Sequence, residues 1–372
     1  MLMSEKKVKV CHFSSAHPST DVRVFHKECS SLSSVGFDVH LVVVNEDNSQ
    51  KNGVSVHGVF SKGESRIFRF IKTSKNVYKK ALEIDASIYH FHDPELLPFA
   101  LKLKRKGKRV IYDIHEDVPK TILAKFWINK YLRKSVSFLF RKYENYVASK
   151  LDYLFTATET ISKRFILINK NTITINNYPL LSELVEITNW EAKKREVCYI
   201  GAITKIRGIE ELVEGVNKSN DVVLNLAGAF DQDMFQQHLK SLPSWKSVID
   251  FGLVNRSATR LIMQGSKIGM VTFLPVPNHV DAQPNKMFEY MSAGIPVIGS
   301  FFPLWKDILE VNKCGICVDP ENSDEIAKAI DLLLNDDALA KQMGENGRRA
   351  VIEKYNWSIE EEKLVQTYRQ LL

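Results

Sequence analysis

The sequence predicts an α/β protein with two doubly wound, Rossmann-like parallel-sheet domains that face each other across a cleft. Three observations support this prediction. Apolar strand-like runs alternate with amphipathic helical stretches along almost the whole chain, a pattern typical of parallel sheets covered on both faces. The alternation lapses after Pro179 and restarts near Glu196. A chain of 372 residues also exceeds the size of one comfortable core.

The strand-like runs locate the two domains. The first domain, residues 1–180, contains the runs VKVCHFSS, DVHLVVV, ASIYHFHD, RVIYDIH, DYLFTAT and TITINNYP. The polar stretch 181–195 lacks a strand and is interpreted as a linker. The second domain, residues 196–350, contains the runs EVCYIGA, VVLNLAG, SVIDFGL, KIGMVTFL, IPVIGSF and GICVDP. We expect residues 351–372 to form a C-terminal helix that packs back toward the first domain.

Composition and motifs exclude several classes of protein. The sequence has no G-x-G-x-x-G after its first strand and no G-x-x-x-x-G-K-[ST], which argues against a dinucleotide-dependent oxidoreductase and a P-loop enzyme. It has no helix-turn-helix or RNP-type signature, so we expect no nucleic-acid partner. The start MLMSEKKVKVCHF has no signal-peptide h-region, and no run approaches the roughly 20 apolar residues of a membrane span. A cytoplasmic location is therefore expected.

The five cysteines suit a reducing compartment, since most of them fall in apolar segments. Cys314 and Cys317 form a C-x-x-C, but the sequence has no second Cys or His pair that would complete a metal or redox site with it. Their surroundings instead predict a helix end that leads into a strand.

The segment Asp281–Ser300, DAQPNKMFEYMSAGIPVIGS, carries the clearest chemical pattern. A strand should precede it, and PNKMFEYMSAG should form a helix with Gly294 at its C-terminal cap. Asn285 or Asp281 would stand near the helix N-terminus, where backbone N–H groups attract an anion. Lys286 would add positive charge there, and Glu289 could accept hydrogen bonds from vicinal hydroxyls. These groups together suit a ribose next to a diphosphate, although an Asn-capped helix with an exposed Glu is the simpler interpretation.

This pattern, a carboxylate-x7-Glu followed by YMSAGIPVIGS, resembles the donor-binding motif of the retaining nucleotide-sugar glycosyltransferases of the GT-B fold, family four (group one). The segment PNKMFEYM is most similar to the branch that builds bacterial surface polysaccharides. Other segments match the family in order along the chain: YHFHDPELLPFAL, YDIHE, YIGAITKIRGIEELVEGV, LNLAGAF and IDFGLV. The resemblance thus covers the whole chain and implies two GT-B domains.

The resemblance implies roles for individual residues. Glu289 would bind the ribose, Asp281 would contact hydroxyls of the transferred sugar, and the backbone around Gln283–Lys286 would approach the sugar and the phosphates. The family has an Arg after the glycine that matches Gly201, but this chain has Ala202 there. The implied donor-binding residues are Gly201, Lys205, Arg207, Gln283, Asn285, Lys286 and Glu289. Arg207-Gly208 occupies the position of the family's Lys-Gly pair, and Lys205 and Lys286 are expected to supply the missing charge.

In the first domain, His115 matches the family's histidine at a strand tip close to the transferred sugar. We expect it to act with Arg207 and Asp281 as the catalytic residues, or alternatively to be a loop histidine bound to a nearby carboxylate. His90 and His92 should share one face of a strand that precedes a helix beginning at Asp93-Pro94. A metal site there is not expected, since the family needs none and no third ligand is evident. The expected acceptor-side residues are His17, Asp21, His92 and Asp93.

The resemblance implies a reaction without a cofactor or metal. A hydroxyl of a glycan or lipid-linked acceptor would attack a nucleotide-diphospho-sugar with retention, and the acceptor proton would pass to the leaving phosphate on the same face. Two alternatives remain open. One is a nucleotide-sugar 2-epimerase, and the other is a non-catalytic homologue that serves as a scaffold in a polysaccharide assembly complex, which Ala202 favours.

The first half of the chain is basic. Residues 1–180 hold 30 Lys and Arg against 17 Asp and Glu, so any anionic partner is expected on that half. The segment 119–150 holds eight cations and one acid, interleaved with aromatic residues that include Phe126 and Trp127. Such a segment suits peripheral contact with an anionic membrane on its cytoplasmic face. A solvated helix that packs its apolar face on its own domain explains the pattern equally well.

Overall fold

The computed structural model describes residues 7–61, 69–125 and 128–372. The chain forms two compact units: unit 1 contains Met1–Asn177 and Trp357–Leu372, and unit 2 contains Tyr178–Asn356. Each unit is built on one twisted sheet with helices packed against it. The predicted fold class, two Rossmann-like domains with parallel sheets, is confirmed.

The sheet of unit 1 has the strand order β3-β4-β2-β1-β5-β6-β7-β8. All neighbouring strands are parallel except the β3–β4 pair. The strands are β1 Lys9–Phe13, β2 Asp38–Val44, β3 Ser49–Lys51, β4 Val54–Val59, β5 Ile88–Phe91, β6 Arg109–Ile114, β7 Tyr153–Thr156 and β8 Thr172–Thr174. The sequence did not predict β3 and β4.

Helical segments connect these strands. The α-helices are α1 Ser30–Ser34, α2 Ser74–Ile84, α3 Leu97–Arg105, α4 Val118–Ala124, α5 Arg133–Ala148 and α6 Glu159–Phe165. Two π-helical stretches, Val22–Cys29 and Arg69–Thr73, lead into α1 and α2, and a 3-10 turn Pro94–Leu96 leads into α3. The side chain of Asp21 caps the first of these stretches by accepting a hydrogen bond from the Val24 N–H at 2.8 Å.

The sheet of unit 2 is entirely parallel, in the order β11-β10-β9-β12-β13-β14. Its strands are β9 Glu196–Ile200, β10 Val223–Ala227, β11 Val248–Gly252, β12 Ile268–Val271, β13 Val297–Ser300 and β14 Gly315–Val318. Its α-helices are α7 Ile209–Lys218, α8 Asp233–Ser241, α9 Arg256–Gly265, α10 Pro277–Val280, α11 Asn285–Ser292, α12 Pro303–Val311, α13 Ser323–Asn335 and α14 Asp337–Glu353. The 3-10 turns are Leu181–Glu183, Trp190–Ala192, Lys205–Arg207 and Pro243–Ser247.

The chain reverses its winding direction in the middle of both sheets. In unit 1 the reversal falls between β1 and β5, and in unit 2 it falls between β9 and β12. Ligands of doubly wound sheets bind outside the carboxyl ends of the strands at such a point. The residues that follow β1, β5, β9 and β12 therefore occupy the positions where a binding site is expected.

The last helix, α15 Trp357–Gln370, returns to unit 1. Its Trp357 indole N–H donates to the Ser31 hydroxyl at 2.9 Å, and its buried Glu360 accepts from the Asn176 backbone N–H at 3.1 Å. The stretch 181–195 belongs to unit 2, where Val185 and Trp190 are buried in the core. Among the described residues, no helix is both long enough and apolar enough to cross a membrane.

Candidate functional site

A group of charged side chains lies at the switch point of unit 2. The segment from Gly201 to Gly208 follows β9, and the segment that leads through α10 to α11 follows β12. Because β9 and β12 are neighbouring parallel strands, the two segments leave the sheet at the same edge. The predicted donor-binding residues all lie on these two segments.

The ammonium group of Lys286 is the central feature of this edge. The Lys286 side chain is buried, and its Nζ has no hydrogen-bond partner within the described part of the chain. The Nζ lies 3.6 Å from the centroid of the Tyr199 ring and 5.2 Å from that of the Phe273 ring. Cation–π contacts of this kind compensate only part of the desolvation cost of an ammonium ion.

Gly201 leaves the space that the Lys286 ammonium group occupies. A Cβ on Gly201 would lie 2.8 Å from Lys286 Nζ, and the φ of Gly201 is +134°, which disfavours any other residue. Gly208 is constrained in a similar way, since a Cβ there would lie 2.0 Å from the Thr272 carbonyl oxygen. The two glycines therefore let the β9 segment approach the β12 segment closely.

Arg207 places a second cation beside Lys286. The central carbon of its guanidinium lies 4.3 Å from the centroid of the Phe273 ring, which Lys286 also contacts. Burial lowers the pKa of Lys286 well below its ordinary value, the Arg207 charge lowers it further, and Glu289 opposes both effects. Two cations that share one aromatic ring repel each other, and an anion bound between them would relieve that repulsion.

Hydrogen bonds hold α11 in place. The Tyr290 hydroxyl accepts from the backbone N–H of Ile200, the residue before Gly201, at 2.9 Å. Gly269 of β12 makes room for this tyrosine, because a Cβ on Gly269 would lie 2.2 Å from Tyr290 Cγ. The Trp305 indole N–H donates to the Ala282 carbonyl at 2.6 Å and so anchors the segment before α11.

The expectation that Asn285 or Asp281 stands near the helix N-terminus needs refinement. Asn285 is the first residue of α11, Pro284 is its N-cap, and no side chain caps the helix. Asp281 is instead the C-cap of the short helix α10. The helix ends at Ser292, and Gly294 follows in the left-handed region with φ +69°.

The other predicted donor residues have different surroundings. Glu289 is half-buried one turn after Lys286, and Gln283 is half-buried before the helix. Lys205 and Asn285 are exposed. Uncapped N–H groups at the start of α11 and two neighbouring cations form an arrangement that can bind a phosphate or diphosphate.

A second polar cluster lies at the switch point of unit 1, around Asp113 of β6. Its carboxylate is fully buried and accepts two hydrogen bonds from the Arg23 guanidinium, at 2.6 and 2.8 Å. It also accepts from His115 Nε2 at 2.7 Å and from His92 Nδ1 at 3.1 Å. Despite its burial, the Arg23 and His115 contacts hold the pKa of Asp113 well below its usual range.

The four predicted acceptor-side residues belong to the same cluster as His115. The His17 and His115 rings are 4.8 Å apart, and His17 Nδ1 lies 3.1 Å from Asp21 Oδ2. Burial lowers the pKa of His17, but the Asp21 and Asp93 contacts more than offset this, so the pKa is raised. Asp93 Oδ2 accepts from the Ser15 backbone N–H at 2.6 Å and from the Ser14 hydroxyl at 2.7 Å, which fixes the turn after β1.

Sequence reasoning missed several members of this cluster. Arg23, Glu28, His12 and Tyr368 are buried beside the predicted residues. A local signal existed for His12, because it interrupts an otherwise apolar strand in KVCHF, just as Asp113 interrupts VIYDI. No local signal pointed to Tyr368, which lies on α15.

The sequence suggested no third metal ligand beside His90 and His92, but the fold brings further possible ligands next to them. One set comprises His12, Glu28, His90 and His92, and a second set comprises His92, Asp113 and His115. However, most of the imidazole nitrogens already take part in hydrogen bonds, such as His12 Nδ1 with His92 Nε2 at 3.1 Å. Arg23 Nε also lies 3.1 Å from Glu28 Oε1, and its positive charge disfavours a cation there. The donor set fits a hydrogen-bonded network better than a metal centre, and absence of a metal stays an expectation.

Comparisons with known proteins agree with this organisation. A capsular polysaccharide biosynthesis glycosyltransferase, CapM of Staphylococcus aureus, is 25% identical over 47% of this chain and 46% of its own length. An uncharacterized glycosyltransferase of Methanocaldococcus jannaschii is 26% identical over 47% of this chain and 45% of its own length. These matches thus span about half of the length of both curated relatives.

Solved structures share the fold along nearly the entire chain. Sucrose-phosphate synthase from Thermosynechococcus elongatus superposes with a TM-score of 0.80 at 16% identity, covering 98% of this chain and 99% of that one. Anabaena HepE, in complex with UDP, gives a TM-score of 0.74 at 12% identity, covering 98% and 100%. At these identities, the likeness shows the fold and nothing more.

Two family models match consecutive parts of the chain. The model for Glycosyltransferase Family 4 matches residues 22–175, which lie in unit 1. The model for Glycosyl transferases group 1 matches residues 182–350, which lie in unit 2. Together they match most of both units. The chain therefore belongs to the group 1, family 4 glycosyltransferases and has the GT-B fold.

Proposed function

We propose that the protein is a retaining glycosyltransferase. It moves a sugar from a nucleotide-diphospho-sugar to a hydroxyl of a glycan or lipid-linked acceptor in surface polysaccharide biosynthesis. The observation that carries the donor assignment is the buried Lys286 ammonium group without a hydrogen-bond partner. A buried charge of this kind is costly unless an opposite charge compensates it. The diphosphate of the donor would supply that charge.

The surrounding groups fit the remaining parts of a nucleotide sugar. Arg207 and the N–H groups at the start of α11 would bind the diphosphate beside Lys286. Glu289 would accept hydrogen bonds from the ribose hydroxyls, and Asp281 would contact hydroxyls of the transferred sugar. HepE, which shares the fold, binds UDP, and this supports a uridine nucleotide as the first donor to test.

The same cations would assist the chemical step. Negative charge grows on the departing diphosphate while the sugar becomes oxocarbenium-like. A preorganised hydrogen-bond donor aimed at such charge is commonly worth about 3–4 kcal/mol in the transition state. The acceptor proton would pass to the leaving phosphate on the same face, so His115 would orient the acceptor hydroxyl and need not act as a base.

A binding screen tests the donor assignment. UDP, GDP, ADP and CMP, with their common sugars, would be titrated into the wild type and the Glu289→Ala variant. A ligand at one hundred times its Kd stabilises the protein by about 2.7 kcal/mol. Glu310→Ala is the matched control, because Glu310 lies on α12 of the same unit and pairs only loosely with Lys306, at 3.8 Å. Equal donor affinity in Glu289→Ala and Glu310→Ala would contradict the ribose assignment.

The scaffold alternative rests on Ala202, which stands where the family has Arg. A catalytically inactive homologue would bind a nucleotide sugar through Lys286 and Glu289 without turning it over. Release of free nucleotide in the presence of an acceptor distinguishes the two proposals. Proton NMR of the product then reports whether the anomeric configuration is retained, and release of nucleotide without an acceptor would favour the epimerase.

For the acceptor, we propose peripheral contact of helix α5 with an anionic membrane. The helix buries Ser137, Glu144, Val147 and Ala148, while Phe138, Leu139 and Tyr146 are more than half exposed. Part of the apolar face, with Phe140 and Val147, thus packs on the core of unit 1, and another part is exposed. Basic residues accompany the exposed aromatic side chains, for example Lys142 Nζ at 5.6 Å from the Phe138 ring centroid. Phe126 and Trp127, which the sequence also suggested, lie outside the described residues.

A basic cavity beside this helix fits the phosphate of a lipid-linked acceptor. It has a volume of about 530 Å³ and is lined by residues of α4, α5 and α6. Among its lining residues, Arg164 is already paired with Asp117 at 3.1 Å and with Glu144 at 2.6 Å. Lys120, Lys134 and Arg141 add positive charge to the lining. Apolar side chains, including Leu123 and Phe138, contribute the rest.

Vesicle flotation tests the membrane proposal. We expect the wild type to bind vesicles rich in phosphatidylglycerol and to dissociate as salt rises, since exposed charges are screened over about 10 Å at 0.1 M. Phe138→Ser with Leu139→Ser should abolish binding. Leu253→Ser, at a leucine 84% exposed on unit 2, should not change it. Equal flotation of all three proteins, or of none, would rule the proposal out.

A further inference from the structure

A series of hydrogen bonds in unit 1 connects the C-terminal helix to His115. From α15, the Tyr368 hydroxyl lies 3.1 Å from His12 Nε2, and His12 Nδ1 lies 3.1 Å from His92 Nε2. His92 Nδ1 then lies 3.1 Å from Asp113 Oδ2, which also accepts from His115 Nε2. At the other end of the series, His90 Nδ1 lies 2.8 Å from the Tyr368 hydroxyl.

The bonding of Asp113 sets the direction of every proton in the series. Its carboxylate accepts from the Arg23 guanidinium and stays ionised, so His92 must donate to it from Nδ1. A neutral His92 then accepts at Nε2, and His12 must donate to it from Nδ1. A neutral His12 accepts at Nε2 from the Tyr368 hydroxyl. The Tyr368 oxygen in turn accepts from His90 Nδ1, so all protons point toward Asp113.

This assignment of donors and acceptors requires His12 and His92 to be neutral, because a protonated imidazole has two donors and no acceptor. Burial lowers the pKa of His90, His12 and His92 and the neighbouring imidazoles lower it further, while the Asp113 carboxylate opposes these effects without cancelling them. Burial and the Asp113 charge raise the pKa of Glu28 well above its ordinary value. The charged or titratable groups that face the series are Arg23, Glu28, Asp113, His115, His17, Asp21, Asp93, Cys11 and Cys29.

We propose that Tyr368, on α15, positions His115 by holding His12 and His92 in the neutral tautomers that the Asp113 carboxylate selects. His92 uses one Nδ1–H to reach Asp113, and the same carboxylate oxygen takes the Nε2–H of His115. In the neutral form of the partly exposed His115, the Nε2–H donates to Asp113, which leaves Nδ1 to accept a hydrogen bond from an acceptor hydroxyl. The use of Nδ1 by an acceptor rests on the proposed function, whereas the tautomers do not. Tyr368 is a positioning residue in this proposal.

Nitrogen-15 NMR of histidine side chains tests the tautomers directly. In the wild type we expect His12, His90 and His92 to carry the proton on Nδ1, and His115 to carry it on Nε2. Free histidine favours the Nε2–H form, so finding the proton on Nδ1 in all three buried rings would show that the protein selects this tautomer. A Nε2–H form of His12 or His92 would overturn the proposal. So would a stoichiometric bound metal ion in elemental analysis that the His12→Gln variant loses.

The Tyr368→Phe variant tests the role of α15. It keeps the ring, which contacts Phe37 and Phe155 at centroid distances of 5.8 and 6.4 Å, but removes the hydroxyl. Without the hydroxyl, His12 Nε2 has no donor, so we expect the Nε2–H tautomer of His12 to appear. His92 must then donate from both ring nitrogens, so its protonated fraction should rise and its stronger bond to Asp113 Oδ2 should change the His115 spectrum. The matched control is Tyr153→Phe, because Tyr153 donates to Gln370 of the same helix at 2.9 Å outside the series.

Kinetics separate a positioning role from a structural one. In Tyr368→Phe, kcat should fall several-fold and its pH profile should shift, while the KM for the donor, which unit 2 binds, stays at the wild-type value. Identical His92 and His115 spectra in Tyr368→Phe and Tyr153→Phe would refute the proposal. If the protein shows no transfer activity, the proposed function fails, but the NMR comparison still decides the tautomers.

Discussion

The ammonium group of Lys286 lies 3.6 Å from the centre of the Tyr199 ring, and the Tyr199 hydroxyl donates to the Ala202 carbonyl at 2.8 Å. Tyr199 thereby connects the buried cation to the turn that follows β9. The same turn contains Ala202, where the family has an arginine. Lys286 thus places a cation next to the position from which the expected one is missing.

The first prediction concerns Lys286→Met, which removes the buried charge and keeps the volume. We expect the free protein to gain about 1–4 kcal/mol of stability, the range seen when apolar side chains replace buried ion pairs. The folded state lowers the pKa of Lys286, so the cost of burial is full below that pKa and disappears as pH rises toward 10.5. The gain should therefore shrink at high pH.

Urea unfolding at pH 7 and pH 10, with and without nucleotide, measures these effects. Nucleotide should stabilise the wild type and leave the Lys286→Met variant unchanged. A variant that is less stable than the wild type but binds nucleotide normally would show that Lys286 has a structural role.

The second prediction concerns Gly201→Ala. Its Cβ would lie 2.8 Å from Lys286 Nζ, and alanine disfavours the φ of +134°. We expect a loss of about 1–3 kcal/mol from the backbone alone, together with weaker nucleotide binding as Lys286 is displaced. Gly265→Ala is the control, because nothing lies within 4 Å of its Cβ and alanine suits a helix end better than glycine. Thermal unfolding and calorimetry of both variants measure the difference, and similar behaviour of the two would argue against the close contact.

The third prediction concerns Tyr290→Phe. Loss of the hydroxyl leaves the partly buried N–H of Ile200 without its acceptor, which should cost about 1–3 kcal/mol. Because this bond connects α11 to the end of β9, nucleotide affinity should also fall. The control is Tyr355→Phe, since the Tyr355 hydroxyl accepts from Asn312 at 3.1 Å at another place in unit 2. A fall in affinity with both variants would indicate a general loss of stability.

The fourth prediction concerns Glu28→Gln and its dependence on pH. Burial raises the pKa of Glu28 in the folded state above 4.5. The wild type therefore loses stability as pH rises from about 4.5 to the folded-state pKa, while glutamine has no such dependence. The variant should gain stability relative to the wild type between pH 5 and pH 8.

Hydrogen exchange of unit 1 peptides at these two pH values measures the Glu28 effect without interference from unit 2. Glu83→Gln is the control, because Glu83 is an exposed residue that pairs with Lys80 at 3.0 Å. A difference between wild type and Glu28→Gln that does not change with pH would show that Glu28 is already ionised in the folded protein.

The periodicity of the sequence predicted much of the fold, because strands buried on both faces appear as continuous apolar runs. The hairpin β3–β4 was missed because β3 is short and polar, and because the apolar residues of β4 (VSVHGV) alternate with others and do not form a continuous apolar run. Its loop Asn52-Gly53 nevertheless has φ values of +51° and +74°, and Asn-Gly between two short strands is a recognised hairpin signal.

The site was predictable only in part. The PNKMFEYM segment pointed to Lys286 and Glu289, since both lie on one short helix. The pairing of Tyr368 with His12 joins residues 356 positions apart, and no local pattern contains that information. The burial of Lys286 against Tyr199 could not be predicted from the sequence either, because it depends on how α11 packs against β9.

The placement of α15 has a consequence for synthesis in the cell. Unit 1 needs Trp357 against Ser31 and Tyr368 against His12, but the whole of unit 2 is translated between these partners. The ribosome therefore releases β1 to β8 long before their last helix exists. During that interval, His12 and His90 lack the Tyr368 hydroxyl that bonds to both of them. Unit 2 is then fully synthesised before the sheet of unit 1 can bind its last helix.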